Sequence, residues 1–356
     1  MHATKLISFA TFLAASAAQA QMGNLQTPEV PMELKDSIEV PAADAQTAAM
    51  VDAADAFLNT LSEEQRGAAI YDFDDNTQRA NWSNFPDGAV VRGGVMRGDL
   101  NDTQLEALDA LIATVLSEDG ARNAAMQVAA DDALGQDGGD RANFGSDYYY
   151  VSFLGQPSTT APWMFQFGGH HLAINATVVG PDVSFSPMLT GGEPLNITFE
   201  DQAVYITQEE TEAAQAMIDS LDETQREAAI QSDEAINLLS GPGEYGTEIA
   251  AEGIRASGLN DEQKALLVAL IETRIGLINE DDAAAAMEVI EAELDETTFG
   301  WWGPTDTLGA GYYRITGPSL ILEYSPQAMD GDPTDHAHNM YRNPQNDYGD
   351  AWIAVE

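Results

Sequence analysis

Residues 56–70 read AFLNTLSEEQRGAAI, and residues 216–230 read AMIDSLDETQREAAI. Eight of the fifteen positions are identical, at an offset of 160. Further matches follow in the same order. Residues 100–104 (LNDTQ) match 259–263 (LNDEQ) at an offset of 159. At 148, residues 153–155 (FLG) match 301–303 (WWG), and 165–174 (FQFGGHHLAI) align with 313–322 (YRITGPSLIL). Four ordered matches with slowly drifting offsets are the mark of a duplicated unit.

Each unit opens on helices. Ser62 with Gln65, Asn101 with Gln104, Asp222 with Gln225 and Asn260 with Gln263 have capping-box spacing, in which each side chain serves the other's backbone N–H. Apolar residues then recur at three- and four-residue steps: Val51, Ala54, Phe57, Leu58 and Leu61 before the first box, Leu105, Leu108, Leu111, Ile112 and Val115 after the second, and Leu266, Leu267, Leu270, Ile271 and Ile275 after the fourth. The period then changes. Tyr148–Leu154, Trp163–Val179, Phe299–Trp302 and Tyr312–Tyr324 are aromatic and β-branched runs broken by Gly and Pro, the pattern of strands and hairpins. The expected fold is α+β with two similar lobes, residues 48–204 and 205–330, each of helices followed by an antiparallel β-sheet. A C-terminal tail, 331–356, has no counterpart of equal length.

Ahead of the repeats, residues 1–20 read as a secretory signal: Lys5, an apolar run from Leu6 to Ala18, and an A-x-A site at Ala18–Ala20. Residues 21–47, with Pro28, Pro31 and Pro41, read as an extended leader. No later stretch is apolar for about eighteen residues, so membrane insertion is not expected. The expectation is a periplasmic or extracellular protein. It has no cysteine, so disulfides and thiol nucleophiles are excluded. Fifty-nine acids against fourteen bases give a formal charge of −45. Such a field repels nucleic acid and anionic lipid and attracts cations.

The five histidines are unevenly placed. His2 falls in the signal, and the other four form two pairs, His170-His171 and His336-Ala337-His338. On an extended strand His336 and His338 face the same side. His170 and His171 face opposite sides unless the chain bends at Gly168-Gly169, which two glycines permit. The four are candidate ligands for zinc, copper or iron, with Glu193, Asp335 or Asp347 to complete the set. His170 and His171 align with Pro318 and Ser319, so the hairpin does not require them. Glu193 and Asp347 are also candidate catalytic bases. Arg92, Arg342 and Trp82 are candidates for holding an anionic substrate, since guanidinium pairs with carboxylate or phosphate and indole offers a stacking face. There is no G-x-S-x-G, P-loop or H-E-x-x-H.

Taken together, the run Arg79–Trp82, Pro162-Trp163 with Gly169-His170-His171, Gly192-Glu193-Pro194, Tyr313-Arg314-Ile315 with Gly317-Pro318, and the ending His336-x-His338, Arg342-Asn343-Pro344, Asn346–Gly349 resemble the family catalogued as domain of unknown function 3500. The resemblance spans about residues 48–349. It supports these site residues and implies no reaction. The functional expectation is an exported metal-binding protein with a His-rich site between two lobes, acting as a metal-dependent hydrolase or oxidoreductase on an anionic small molecule. The alternative is a non-catalytic periplasmic module that binds a small molecule through the same His and Arg cluster.

Overall fold

The computed structural model describes residues 30–138, 143–328 and 331–355. The signal read at 1–20 and the leader as far as residue 29 lie outside the described residues. Helix α1 (Ala45–Thr60) starts where Asp44 accepts the Thr47 N–H. It is followed by α2 (Glu63–Ala69), β1 (Ile70–Tyr71), a single turn α3 (Asn76–Arg79), β2 (Val95–Met96), α4 (Asp102–Val115) and α5 (Glu118–Gly138). Strands β3 (Tyr150–Leu154), β4 (Trp163–Gly169), β5 (Leu172–Val179), β6 (Asp182–Ser184) and β7 (Met188–Gly192) complete the first half. A small separate hairpin, β8 (Asn196–Phe199) and β9 (Gln202–Tyr205), leads on to the second. There follow α6 (Gln208–Ser220), α7 (Glu223–Ala229), β10 (Ile230–Ser232), β11 (Ile254–Arg255), α8 (Asp261–Ile275) and α9 (Glu280–Ala292). Strands β12 (Thr298–Trp302), β13 (Tyr312–Gly317), β14 (Leu320–Pro326) and β15 (Ala337–Arg342) and the short α10 (Asp350–Ile353) end the chain. The class is α+β.

All four expected capping boxes form. The glutamines do a second job. Gln104 Nε2 donates to Thr60 O at 3.0 Å and to Gln65 Oε1 at 2.9 Å. Gln263 Nε2 donates to Ser220 O at 2.9 Å and to Gln225 Oε1 at 2.7 Å. Each thus caps its own helix and satisfies a carbonyl at the end of an earlier one.

The strands form one thirteen-stranded sheet, with the main path β1-β3-β4-β5-β7-β15-β14-β13-β12-β10. It is mixed, which corrects the expectation of purely antiparallel sheets: β1 runs parallel to β3, and β10 parallel to β12. Each of these edge strands continues directly from a helix, and the helices before its partner supply the long crossover a parallel pair needs. The sheet is continuous because β7 and β15 pair antiparallel, from Ala337 opposite Gly192 to Tyr341 opposite Met188. Residues 337–342, read from the sequence as part of a tail, therefore lie at the middle of the sheet.

This β7–β15 seam sets the two faces on which the sites are built. Ala337 and Tyr341 join the main core, where the sheet packs on α1, α4, α6 and α8. Met340, of opposite parity, packs with Trp82, Ala173 and Leu189 in a smaller cluster on the other face. Of the described part of the leader, residues 30–44 contain no helix while 45–47 already belong to α1, which corrects the expected leader boundary, and Val30 and Met32 are buried against Tyr348 and Ile353. No helix among the described residues is long and apolar enough to cross a membrane.

Candidate metal centre

Gly168 and Gly169 do not make the bend expected of them. They are the last two residues of β4, and the turn consists of His170 and His171 themselves. His171 takes a φ of +60°, a left-handed region uncommon for residues other than Gly, though His, like Asn and Asp, enters it more readily than most. The glycines serve close approach instead. A Cβ on Gly168 would lie 2.5 Å from Leu172 O, and one on Gly169 would lie 2.8 Å from the Tyr149 ring. Two side chains pin the turn from outside: Tyr149 Oη donates to His170 O at 2.9 Å, and Arg92 Nη2 donates to Gly169 O at 3.1 Å.

The turn carries His171 to the end of the seam. There His171 Nε2 lies 3.0 Å from His336 Nε2, and His336 Nε2 lies 3.2 Å from His338 Nε2. His338 belongs to β15, opposite Gly191 of β7 and Ser325 of β14. Three imidazoles from two distant stretches thus converge on one point, and all three are buried. Ring nitrogens sharing one tetrahedral ion at about 2.0–2.1 Å would stand roughly 3.3–3.4 Å apart, close to these spacings.

The electrostatics suit a cation. Burial holds His171 and His338 well below the ordinary imidazole range, and the neighbouring histidines push the same way. Burial, with His170 adding to it, pushes His336 down to about 3. All three rings are neutral at ordinary pH, the form in which imidazole offers a lone pair to a metal. Around them lies an outer layer. His336 Nδ1 stands 3.6 Å from Glu193 Oε2, within ion-pair range but beyond a hydrogen bond. His338 Nδ1 faces the Asn84 side-chain amide at 3.4 Å. Metal-bound imidazoles are commonly oriented by such partners.

His170 sits beside this triad. Its ring centroid is 3.6 Å from that of His171, and its Nδ1 is 2.7 Å from Asp131 Oδ1 on α5. His170, His171 and Glu193 form a second grouping with ligand atoms within 4.8 Å of one another. Arg92 lies close by. Its Nη2 donates to the carbonyls of Ser83, Phe85 and Gly169, while its buried Nη1 meets no hydrogen-bond partner among the described residues. Burial lowers the Arg92 pKa.

The remaining candidates gather elsewhere. Arg342 gives Nε to Ser240 O, Nη2 to Gly241 O and Nη1 to Asp347. Its guanidinium lies over Trp82 at 5.8 Å, and Trp82 Nε1 donates to Tyr348 Oη at 2.7 Å. Asp347 also accepts from Ser186 Oγ at 2.6 Å. These contacts clamp the C-terminal segment against the loop that carries Trp82. Asp335 caps the chain after Pro194, its Oδ1 accepting the backbone N–H of Leu195 and Asn196. Asp131 and Asn84 escaped the sequence reading. Asp131 follows Ala124 and Gln127 at helical steps on the buried side of α5, a faint signal, and Asn84 had none.

A family model described as Protein of unknown function (DUF3500) matches residues 43–350. No curated protein and no solved structure matches the chain.

Proposed function

The chain belongs to this family of unknown function (DUF3500), and on that premise we propose that it is an exported protein that binds a transition metal ion through His171, His336 and His338. The observation that carries the reading is the convergence of three buried imidazoles, two of whose Nε2–Nε2 spacings, 3.0 and 3.2 Å, are near those of a tetrahedral site. Three imidazoles suit zinc, copper or iron. An ion so held, with a coordination position left open, supplies Lewis acidity or a redox couple. Glu193 is the carboxylate placed to orient His336 or to take up a proton, and His170, held by Asp131, adds a further nitrogen. The reading of an anionic small-molecule substrate is supported by Arg92, whose buried Nη1 has a hydrogen-bond donor to spare. Arg342, Trp82 and Asp347 act on this reading as supports of the site's frame. The non-catalytic alternative draws on the burial of all three rings, which restricts access to the ion.

Export to the periplasm or beyond is supported by the character of residues 1–20. The reading of two copies of one unit is supported by the twice-occurring glutamine pairs that tie successive helices. The partner strand of β7 comes from residues 331–356, so the second unit, read as 205–330, is complete only with that segment.

Elemental analysis of untagged protein, beside a His336→Ala, His338→Ala double variant, tests the metal. About one equivalent in the parent and none in the variant is the expected result. An absence of metal in the parent even after exposure to zinc, copper and iron overturns the reading.

A further inference from the structure

On the opposite, helix-covered face of the same seam lies a cavity. It measures about 450 Å³ and is bounded by α5, the β8–β9 hairpin, the start of α6 and the end of α8. That volume is within the range of small-molecule pockets. Its floor is polar and buried. Glu210 forms an ion pair with Arg274, accepts from Tyr313 Oη at 2.5 Å and accepts from Asn339 Nδ2 at 2.9 Å. Arg274 also donates to Thr190 Oγ1. Thr190 and Asn339 face each other across the seam, one step along from the Gly191–His338 pair.

Burying an ion pair costs several kcal/mol per ion before the attraction is counted, so the cluster calls for a reason. The fold does not supply one. By the offsets of 160, 159 and 148, Glu210 falls on Met50, Arg274 on Val115 and Tyr313 on Phe165. Those three are fully buried and belong to the apolar core. One half fills the place with hydrocarbon, and the other builds a polar floor under a cavity.

The walls indicate what fits. Asn339 is 1% exposed, its amide nitrogen is committed to Glu210, and its Oδ1 meets no donor among the described residues. Both arginines at the cavity are engaged, Arg274 with Glu210 and Arg122 with Glu200 at 3.2 Å. The carboxylates of Asp119, Glu209 and Glu212 line the same space with no cationic partner among the described residues. An acceptor without a donor, beside carboxylates without a cation, calls for a ligand that donates hydrogen bonds and carries positive charge. We propose that this cleft binds a small organic cation, a primary amine, independently of the metal centre.

Calorimetric titration of the full chain with 1,4-diaminobutane, with acetate as the anionic control, tests it. The expected result is saturable binding of the diamine alone, weakened about tenfold or more by Asn339→Leu and by the exposed pair Glu209→Gln, Glu212→Gln. The latter pair keeps the test valid if Asn339→Leu fails to fold. Glu63→Gln, Glu64→Gln removes as much charge from an exposed helix start elsewhere and leaves binding unchanged. So does the His336→Ala, His338→Ala variant, which separates this site from the metal. Absence of saturable binding, equal weakening by the Glu63 and Glu64 changes, or loss of binding in the histidine variant overturns the proposal.

Discussion

The hairpins β4–β5 and β13–β14 stand on either side of the seam, and their tips differ. One is His170-His171, with His171 at a φ of +60°. The other is Pro318-Ser319, where the Ser319 N–H is held by Glu293 Oε2 at 3.0 Å and no residue has a positive φ. The contrast is reversed beneath the helices. There the first half has Met50, Val115 and Phe165, and the second has Glu210, Arg274 and Tyr313. The strand ends differ too: Glu193-Pro194 follows β7, and Asn343-Pro344 follows β15. On the proposed reading of two copies of one unit, one half at each place has what suffices to build the element, and the other has polar or strained residues that the element does not need. Groups that burden a fold without being required by it are the best candidates for chemistry.

The largest effect expected is at the buried pair. Arg274→Val leaves Glu210 buried without its partner and should cost about 3–5 kcal/mol in denaturant unfolding. The triple change Glu210→Met, Arg274→Val, Tyr313→Phe copies the first half, and most of that loss should return. A triple variant as unstable as the single would mean that the cluster is there for stability, and the comparison would break. Next in size, Glu193→Gln gives the end of β7 an uncharged amide like that at the end of β15. Metal affinity, measured by competition with a chelator, should fall about 10–100-fold if the carboxylate orients His336. Unchanged affinity would remove Glu193 from the site. Smallest in its effect on stability is His171→Gly, which relieves the left-handed backbone. The metal-free protein should gain about 1–2 kcal/mol while metal binding is lost. A loss of stability instead would make His171 a structural residue of the turn, like Ser319.

Much of the fold was legible before any coordinates. The four capping boxes, the amphipathic helices and the hairpins appear where spacing placed them, because each depends on contacts between residues a few positions apart. The edge strands β1 and β10 were missed: two or three residues carry no readable period, and their parallel pairing depends on partners about eighty and about seventy positions away. The site was legible in part. Paired histidines in a chain that uses so few marked the segments whose rings converge in the structure. Which atoms meet was not readable, nor was the separation of Arg342 and Asp347 into a clamp of their own. Glu210 and Arg274 looked like ordinary members of an acidic, helical sequence, since burial does not show in residue type alone.

Composition and short-range spacing were therefore enough to establish an acidic α+β protein without cysteine, with helices capped by Ser, Asn or Asp and two sparing clusters of histidine. The meeting of those clusters was settled by the register of β15 against β7 and β14, across pairings up to about 150 residues apart. A slip of one residue in that register would turn His338 towards the helices and Asn339 towards the histidines. Hydrogen bonds local to a helix end can be read from a few letters, whereas the face a strand presents depends on the whole sheet into which it is paired.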